Sequence, residues 1–193
     1  LGLATPQLCD GGANILDPVR LVSTWTAPLG PANAEAVVTR LREMGSAFVA
    51  THGSGTASTF DDVPDWDLIR VSALDLDEAT ADALAEEFCG NKEMYVNKAV
   101  LPYNGLWAID FTLAGVDKAT GVARVGDTLG VDPANMVAVG DSYNDLSMLQ
   151  SCGFSVAMGN APPEVKAAAD FVAPPVSEDG LAVAIFEYVL PRI

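Results

Sequence analysis

The sequence predicts an α/β protein, with a parallel-sheet core and a smaller α/β domain inserted into it. Three observations carry that prediction. The C-terminal third alternates short apolar runs with helix-like stretches across short connections, which is how a parallel sheet covered by helices reads. Its runs, such as Met136–Val139, have no polar break, as in strands buried on both faces. The stretch before it has its own succession of strand and helix patterns and reads as a separate layer. A length of 193 residues suits one domain carrying a smaller one.

In chain order, Leu8–Asp17 reads as a hairpin turning at Asp10-Gly11-Gly12, because Asp-Gly suits a two-residue turn. Val19–Thr24 alternates as a strand. Ala32–Met44 is an amphipathic helix with Val37, Val38, Leu41 and Met44 on one side and Gly45 as its stop. Ala47–Thr51 is a strand, and His52–Thr59, rich in Gly, Ser and Thr, is a loop. Asp67–Ala73 is a strand, Asp77–Phe88 a helix, and Met94–Asn97 and Leu106–Thr112 are strands. Lys118–Leu129 then reads as a helix, Met136–Val139 as a strand and Asp145–Gln150 as a helix. Ser155–Met158 is a strand, Glu164–Ala169 a helix, Phe171–Ala173 a strand, and Gly180–Leu190 a closing helix that Pro191 ends. The expected partition is a core remnant at 1–17, the inserted domain at 18–112 and the second half of the core at 113–193.

Composition narrows the function. Half the residues are hydrophobic and 19% are charged, so the chain can offset its ordering entropy and is not disordered. No apolar run approaches the roughly 20 residues of a membrane helix. No basic start leads into an apolar segment and a small-residue cleavage site, so no signal peptide is expected. The chain opens on Leu1 and not Met, so it reads as processed or as lacking its beginning. Against 10 basic residues stand 26 acidic ones, for a net charge of -16. That balance argues against nucleic acid and anionic membrane as partners and suits a cation ligand. Cys9, Cys89 and Cys152 are far apart with no C-x-x-C spacing, and read as buried reduced thiols of a cytoplasmic protein. Oligomeric state leaves no mark.

The chemistry concentrates after the Met136–Val139 strand, in Gly140-Asp141-Ser142-Tyr143-Asn144-Asp145. In an open parallel sheet, ligands bind beyond the carboxyl ends of the strands. Asp141 and Asp145 are four apart and share a face if a helix begins there. Two such oxygen donors suit Mg²⁺, and Ser142 adds a further hydroxyl oxygen. Asn144 is a neutral amide able to donate to a phosphate oxygen. Asp141 alone would read as a helix cap; the neighbouring polar side chains argue for a site. Lys118 opens a helix 23 residues earlier, against the helix dipole. Alone it is a surface charge. At the same sheet edge its ammonium can bind a phosphate and offset clustered carboxylates. His52, the only histidine, lies in a Gly-rich loop and reads as a plain loop residue before a substrate contact. Trp25, Trp66 and Trp107 read as core of the inserted domain, and Met148 and Leu149 as helix-to-sheet packing.

Gly140-Asp-Ser-x-Asn-Asp145 with the upstream Lys118 resembles motifs four and three of the haloacid dehalogenase-like (HAD) superfamily, its Cof-type sugar-phosphatase branch above all. Ser155-Val-Ala-Met-Gly-Asn-Ala161, Val165-Lys-Ala-Ala-Ala-Asp170 and Gly180-Leu continue that branch's pattern. Leu8-Cys-Asp-Gly-Gly-Ala-Asn14 resembles the hairpin before its cap, with Gly11 where the branch usually has Asn. The resemblance implies a Rossmann-like core of the HAD fold with an inserted α/β cap. It implies a Mg²⁺-dependent phosphomonoesterase acting on a small phosphorylated metabolite through an aspartyl-phosphate. Asp141 would hold the metal, Lys118 and Asn144 the phosphate, and Asp145 would orient Lys118 or the metal's water shell.

Motif one, D-x-D-x-T, supplies the nucleophile in that family, and it would precede the Leu8 hairpin. The chain does not contain it. Leu74-Asp75-Leu-Asp77-Glu-Ala-Thr80 comes near, but its threonine is one place late and Asp77 reads as a helix N-cap. The expectation is an N-terminally incomplete sequence, inactive alone. Two alternatives remain open at this point: a non-catalytic phosphate- or metal-binding module, and a phosphomutase or dehalogenase on the same fold.

Overall fold

A computed structural model describes residues 4–192. The chain divides into two compact units, the first ending at Val116 and the second beginning at Asp117. The hairpin of residues 7–17 belongs by its contacts to the first unit, and the division falls four residues beyond the expected 112/113 boundary.

In the first unit, β1 (Gln7–Cys9), β2 (Asn14–Asp17) and β3 (Val22–Thr26) form an antiparallel sheet in that order. The turn is longer than the two residues expected. Cys9 pairs with Asn14 across a helical turn at Asp10–Gly12, where Asp10 and Gly11 have φ of 52° and 67°. A second sheet joins β4 (Phe48–His52), β5 (Gly55–Ala57), β6 (Leu68–Leu76), β7 (Met94–Val100) and β8 (Trp107–Leu113) in the order β5-β4-β6-β8-β7, every pair antiparallel. β5 falls inside the expected loop. Pairing with β4 makes it a strand despite its small polar residues.

Helices α1 (Pro31–Met44) and α2 (Glu78–Phe88) cover one face of this sheet. Ala34, Val37, Val38 and Leu41 of α1 are buried, at the helical spacing seen in the sequence. Asp77 is the N-cap of α2, its carboxylate accepting from the Thr80 amide at 2.9 Å. The core between sheet and helices includes Leu68, Val71, Ile109 and Phe111. Each such fully buried large side chain contributes about 1.5–3 kcal/mol relative to exposure. Trp66 and Trp107 pack on this core, as expected. Trp25 instead packs with Ala13, Ala27, Ile69, Leu113 and Val116, which joins the hairpin sheet to the larger one. The Arg70–Asp10 ion pair at 3.2 Å reinforces that junction.

The second unit holds α3 (Lys118–Leu129), β9 (Val137–Gly140), α4 (Leu146–Ser151), β10 (Phe154–Ala157), α5 (Pro163–Ala168), β11 (Phe171–Val172) and α6 (Gly180–Val183). The strands are parallel in the order β11-β10-β9. Alternate side chains serve opposite faces. Ala138 and Ala157 pack with Leu149 and Val165 on one face, and Val156 and Val139 with Ala184 and Tyr188 on the other. Met148 and Leu149 are packing residues, as the sequence reading has them. The expected closing helix is not one regular helix. It runs as α6, then a π-helical stretch at Ala184–Val189, then a 3-10 turn at Leu190–Arg192. Cys89 is exposed, while Cys9 and Cys152 are half-buried, so the expectation of buried thiols fails at Cys89. No helix among the described residues is long and apolar enough to cross a membrane.

Candidate active site

The site lies where β9 ends. Gly140 is buried there with the side chain of Asp145 directly against it. A Cβ at residue 140 would stand 2.5 Å from Asp145 Cβ and 2.9 Å from its Oδ2, so only glycine fits. The chain then turns through Tyr143–Asp145 into α4, and this turn brings Asp145 back under the strand end.

Asp145 is 4% exposed, and its carboxylate organises the site. Oδ2 accepts from the backbone amides of Asp141 at 2.9 Å and Ser142 at 3.0 Å, and from the Ser142 hydroxyl at 3.2 Å. Oδ1 accepts from Lys118 Nζ at 2.5 Å. Burial alone would push this carboxyl up. The Lys118 hydrogen bond and charge, with the Asp141 and Ser142 amides, outweigh burial and hold it below the ordinary carboxylate range.

Lys118 is the first residue of α3, and Asp117 before it is the N-cap. The Asp117 carboxylate accepts from the Thr120 amide at 2.9 Å, and the Thr120 hydroxyl accepts from the Asp117 amide at 2.9 Å. An ammonium at a helix N-terminus is opposed by the dipole; here the carboxylates of Asp117 and Asp145 offset that. Burial pushes Asp117 up, but bonds from Thr120 and Ser147 bring it below its ordinary value. Lys118 also donates to Asn144 Oδ1 at 3.2 Å, and that oxygen accepts from the Ser142 hydroxyl at 2.5 Å. Both partners are donors, so the oxygen end of the Asn144 amide faces them, and its nitrogen is not engaged by these bonds.

The structure therefore brings together Lys118, Asp141, Ser142, Asn144 and Asp145, all five residues singled out from the sequence. It also separates their surroundings. Asp145 is saturated by the protein itself, and the Ser142 hydroxyl hydrogen is directed at Asn144 and Asp145. Asp141 is the carboxylate left at the rim, where Asn160 donates to its Oδ2 at 3.2 Å. A groove of about 550 Å³ opens here, lined in part by Lys118, Gly140, Asp141, Asp145, Met158 and Leu181. Asn160, to which sequence reasoning gives no role, follows a short strand at the same sheet edge, and that placement is the signal that could have found it.

The donor set fits part of a magnesium site. Mg²⁺ takes one or two carboxylates and keeps several waters, and Asp141 supplies one such group beside a cation that does not compete for it. Among the described residues no three His, Cys, Asp or Glu side chains gather to hold a metal, so Asp141 would be one ligand and not a complete site. The other candidates have local partners within the first unit. His52 Nδ1 bonds with the Ser54 hydroxyl at 3.0 Å in the β4–β5 hairpin. Asp75 accepts from Tyr103 at 2.8 Å and Asn104 at 2.7 Å, and Asp77 caps α2, so neither has the setting of a nucleophile.

A family model described as haloacid dehalogenase-like hydrolase matches residues 43–185. Over 184 residues the chain is 36% identical to the phosphoglycolate phosphatase of Halorubrum lacusprofundi, covering 94% of this chain and 72% of that one. Over 114 residues it is 38% identical to the 5-amino-6-(5-phospho-D-ribitylamino)uracil phosphatase YcsE of Bacillus subtilis, covering 59% of this chain. The chain spans 44% of that relative's length. Among solved structures, the HAD subclass IIB sugar phosphatase BT4131 superposes with a TM-score of 0.73 at 19% identity, covering 93% of this chain and 74% of that one. At that identity the likeness is one of fold.

Proposed function

The chain belongs to the haloacid dehalogenase-like hydrolases, and on that premise we propose that it forms part of a Mg²⁺-dependent phosphomonoesterase for a small phosphorylated metabolite, a sugar phosphate. The observation that carries the proposal is the Lys118–Asp145–Asn144 network at the end of β9, with Asp141 beside it. A cation, an amide and a free-standing carboxylate at one sheet edge support that reading. These are the groups phosphoryl transfer needs, since the reaction is governed by positioning and charge compensation.

Lys118 has two of its N–H bonds on Asp145 and Asn144 and presents the third to the phosphoryl oxygens. Asn144 donates from its amide nitrogen to the same group. Asp145 touches neither substrate nor metal. It holds Lys118 in place and fixes the turn that aims Asp141. Asp141 would hold Mg²⁺, which when bound neutralises charge on the transferred group. The nucleophile belongs to a D-x-D-x-T segment that these 193 residues do not contain. Its carboxylate oxygen attacks phosphorus, the ester P–O bond breaks, and the leaving oxygen takes a proton. Water then cleaves the aspartyl-phosphate and releases phosphate, so one hard step becomes two. Residues 18–112 serve in this reading as the cap that selects the leaving group.

The test is phosphate release from a panel of sugar phosphates by this chain expressed together with its upstream coding sequence. Turnover that EDTA abolishes and Mg²⁺ restores is expected. Tight phosphate binding without turnover would establish a binding module, and transfer of phosphate between two positions of a sugar would establish a mutase.

A further inference from the structure

We infer that Asn160 is a positioning residue for Asp141, one that ties the metal-binding carboxylate to the Ala173–Val176 segment. The inference rests on the phosphatase reading above and deepens it.

The backbone delivers Asn160 to this place. Beyond Gly140 the β9–β10 ladder gains one more bond, from the Met158 amide to the Gly140 carbonyl at 2.9 Å. The turn that follows closes with the Ala161 amide on the Met158 carbonyl at 2.9 Å. Gly159 lies against the Ala173–Pro175 backbone so closely that a Cβ there would meet Pro175 N at 2.5 Å and Ala173 O at 2.8 Å. Position 160 is thereby set beside Asp141, with little freedom in the chain that carries it.

The side chain is then held at both ends. Its Nδ2 donates to Asp141 Oδ2 at 3.2 Å, and its Oδ1 accepts from the Val176 amide at 3.2 Å. A donor on one side and an acceptor on the other fix the amide orientation, because a flipped amide would set N–H against N–H and oxygen against carboxylate. Asn160 is exposed, so two hydrogen bonds with so defined a geometry contribute little to folding. Their effect falls on Asp141. The bond to Oδ2 restrains rotation of the carboxylate and leaves Oδ1 for the cation. Groups that orient a metal-binding carboxylate act on metal affinity even without touching the metal.

Asn160→Ala and Val176→Pro test this in the protein carrying its upstream sequence. Val176 begins a 3-10 turn after an extended Pro175, a position where proline fits; it removes the amide donor and also changes an exposed side chain at the groove. Mg²⁺ affinity is measured calorimetrically without substrate, alongside the Mg²⁺ dependence of turnover and the melting temperature. Asn160→Ala is expected to weaken Mg²⁺ binding by about 10–100-fold with KM for substrate at saturating Mg²⁺ and the melting temperature near wild type. Val176→Pro is expected to shift Mg²⁺ affinity the same way by less. Wild-type Mg²⁺ affinity in Asn160→Ala would overturn the inference, as would a loss of stability that accounts for the weaker binding. A wild-type protein with no Mg²⁺-dependent turnover would instead overturn the phosphatase reading, and this inference with it.

Discussion

The two units differ in what their buried residues do. In the first, a large apolar core rich in Leu, Val, Ile and Phe side chains fills the space between two helices and a five-stranded sheet, with a smaller cluster around Trp25 beside it. In the second, two small clusters flank a three-stranded parallel sheet, and the buried residue at its functional edge is a carboxylate. Among the described residues β9 pairs on one side only, with β10. The first unit is built for stability. The second puts charge where apolar packing would otherwise be, and depends on Asp145 being fully paired.

Breaking each region should therefore give different symptoms. The largest effect on folding is expected from Phe111→Ala, which removes a fully buried ring from the large core and should cost about 3–5 kcal/mol. All three tryptophans lie in the first unit, so their fluorescence reports that loss directly. Amide exchange under native conditions should show the second unit opening at lower free energy than the first. Equal protection in β6 and β9 would erase the contrast.

Asp145→Asn should cost about 1–3 kcal/mol and lower activity together, because an amide cannot accept from Lys118 and from the Asp141 and Ser142 amides at once. Urea unfolding with amide exchange as the probe should place the loss in the second unit. The same carboxylate sets an acid limit. Its pKa is lowered in the folded protein, so its contribution is complete above the unfolded value of 3.8 and is lost as pH falls through the lowered folded value. A urea midpoint followed from pH 6 to pH 2 should fall more steeply in wild type than in Asp145→Asn. Asp77→Ala, which removes only a cap of α2, should cost about 1 kcal/mol in the first unit and leave activity unchanged.

Much of this was legible in the sequence because the signals are local. The unbroken apolar run into Gly140 places β9, and polar side chains packed into the next five positions mark the site. Asp77 announces a helix start by chemistry confined to one turn. What was not legible depends on distant partners. β5 lies among Gly, Ser and Thr and is a strand because β4 pairs with it. The Asp10–Arg70 pair joins residues 60 apart. The closing helix has a helical pattern throughout, yet its hydrogen bonding shifts to a π register from Ala184. At the site, periodicity could not tell which of Asp141 and Asp145 is buried. The close approach of Asp145 to Gly140 decides it. Asn160 is a single exposed amide in a turn with no pattern of its own, and only its place after a short strand at the same sheet edge marks it.

Under the proposed function Lys118 acts on the phosphoryl group and Asp141 on the metal. The most direct measurement is steady-state kinetics of Lys118→Ala and Asp141→Asn across a Mg²⁺ titration, in the protein carrying its upstream sequence. Lys118→Ala should lower kcat/KM by about 100-fold or more with its Mg²⁺ half-saturation near wild type, whereas Asp141→Asn should raise that half-saturation and also lower kcat by about 100-fold or more. Two folded variants with wild-type kinetics and wild-type Mg²⁺ dependence would place the chemistry elsewhere and contradict the account.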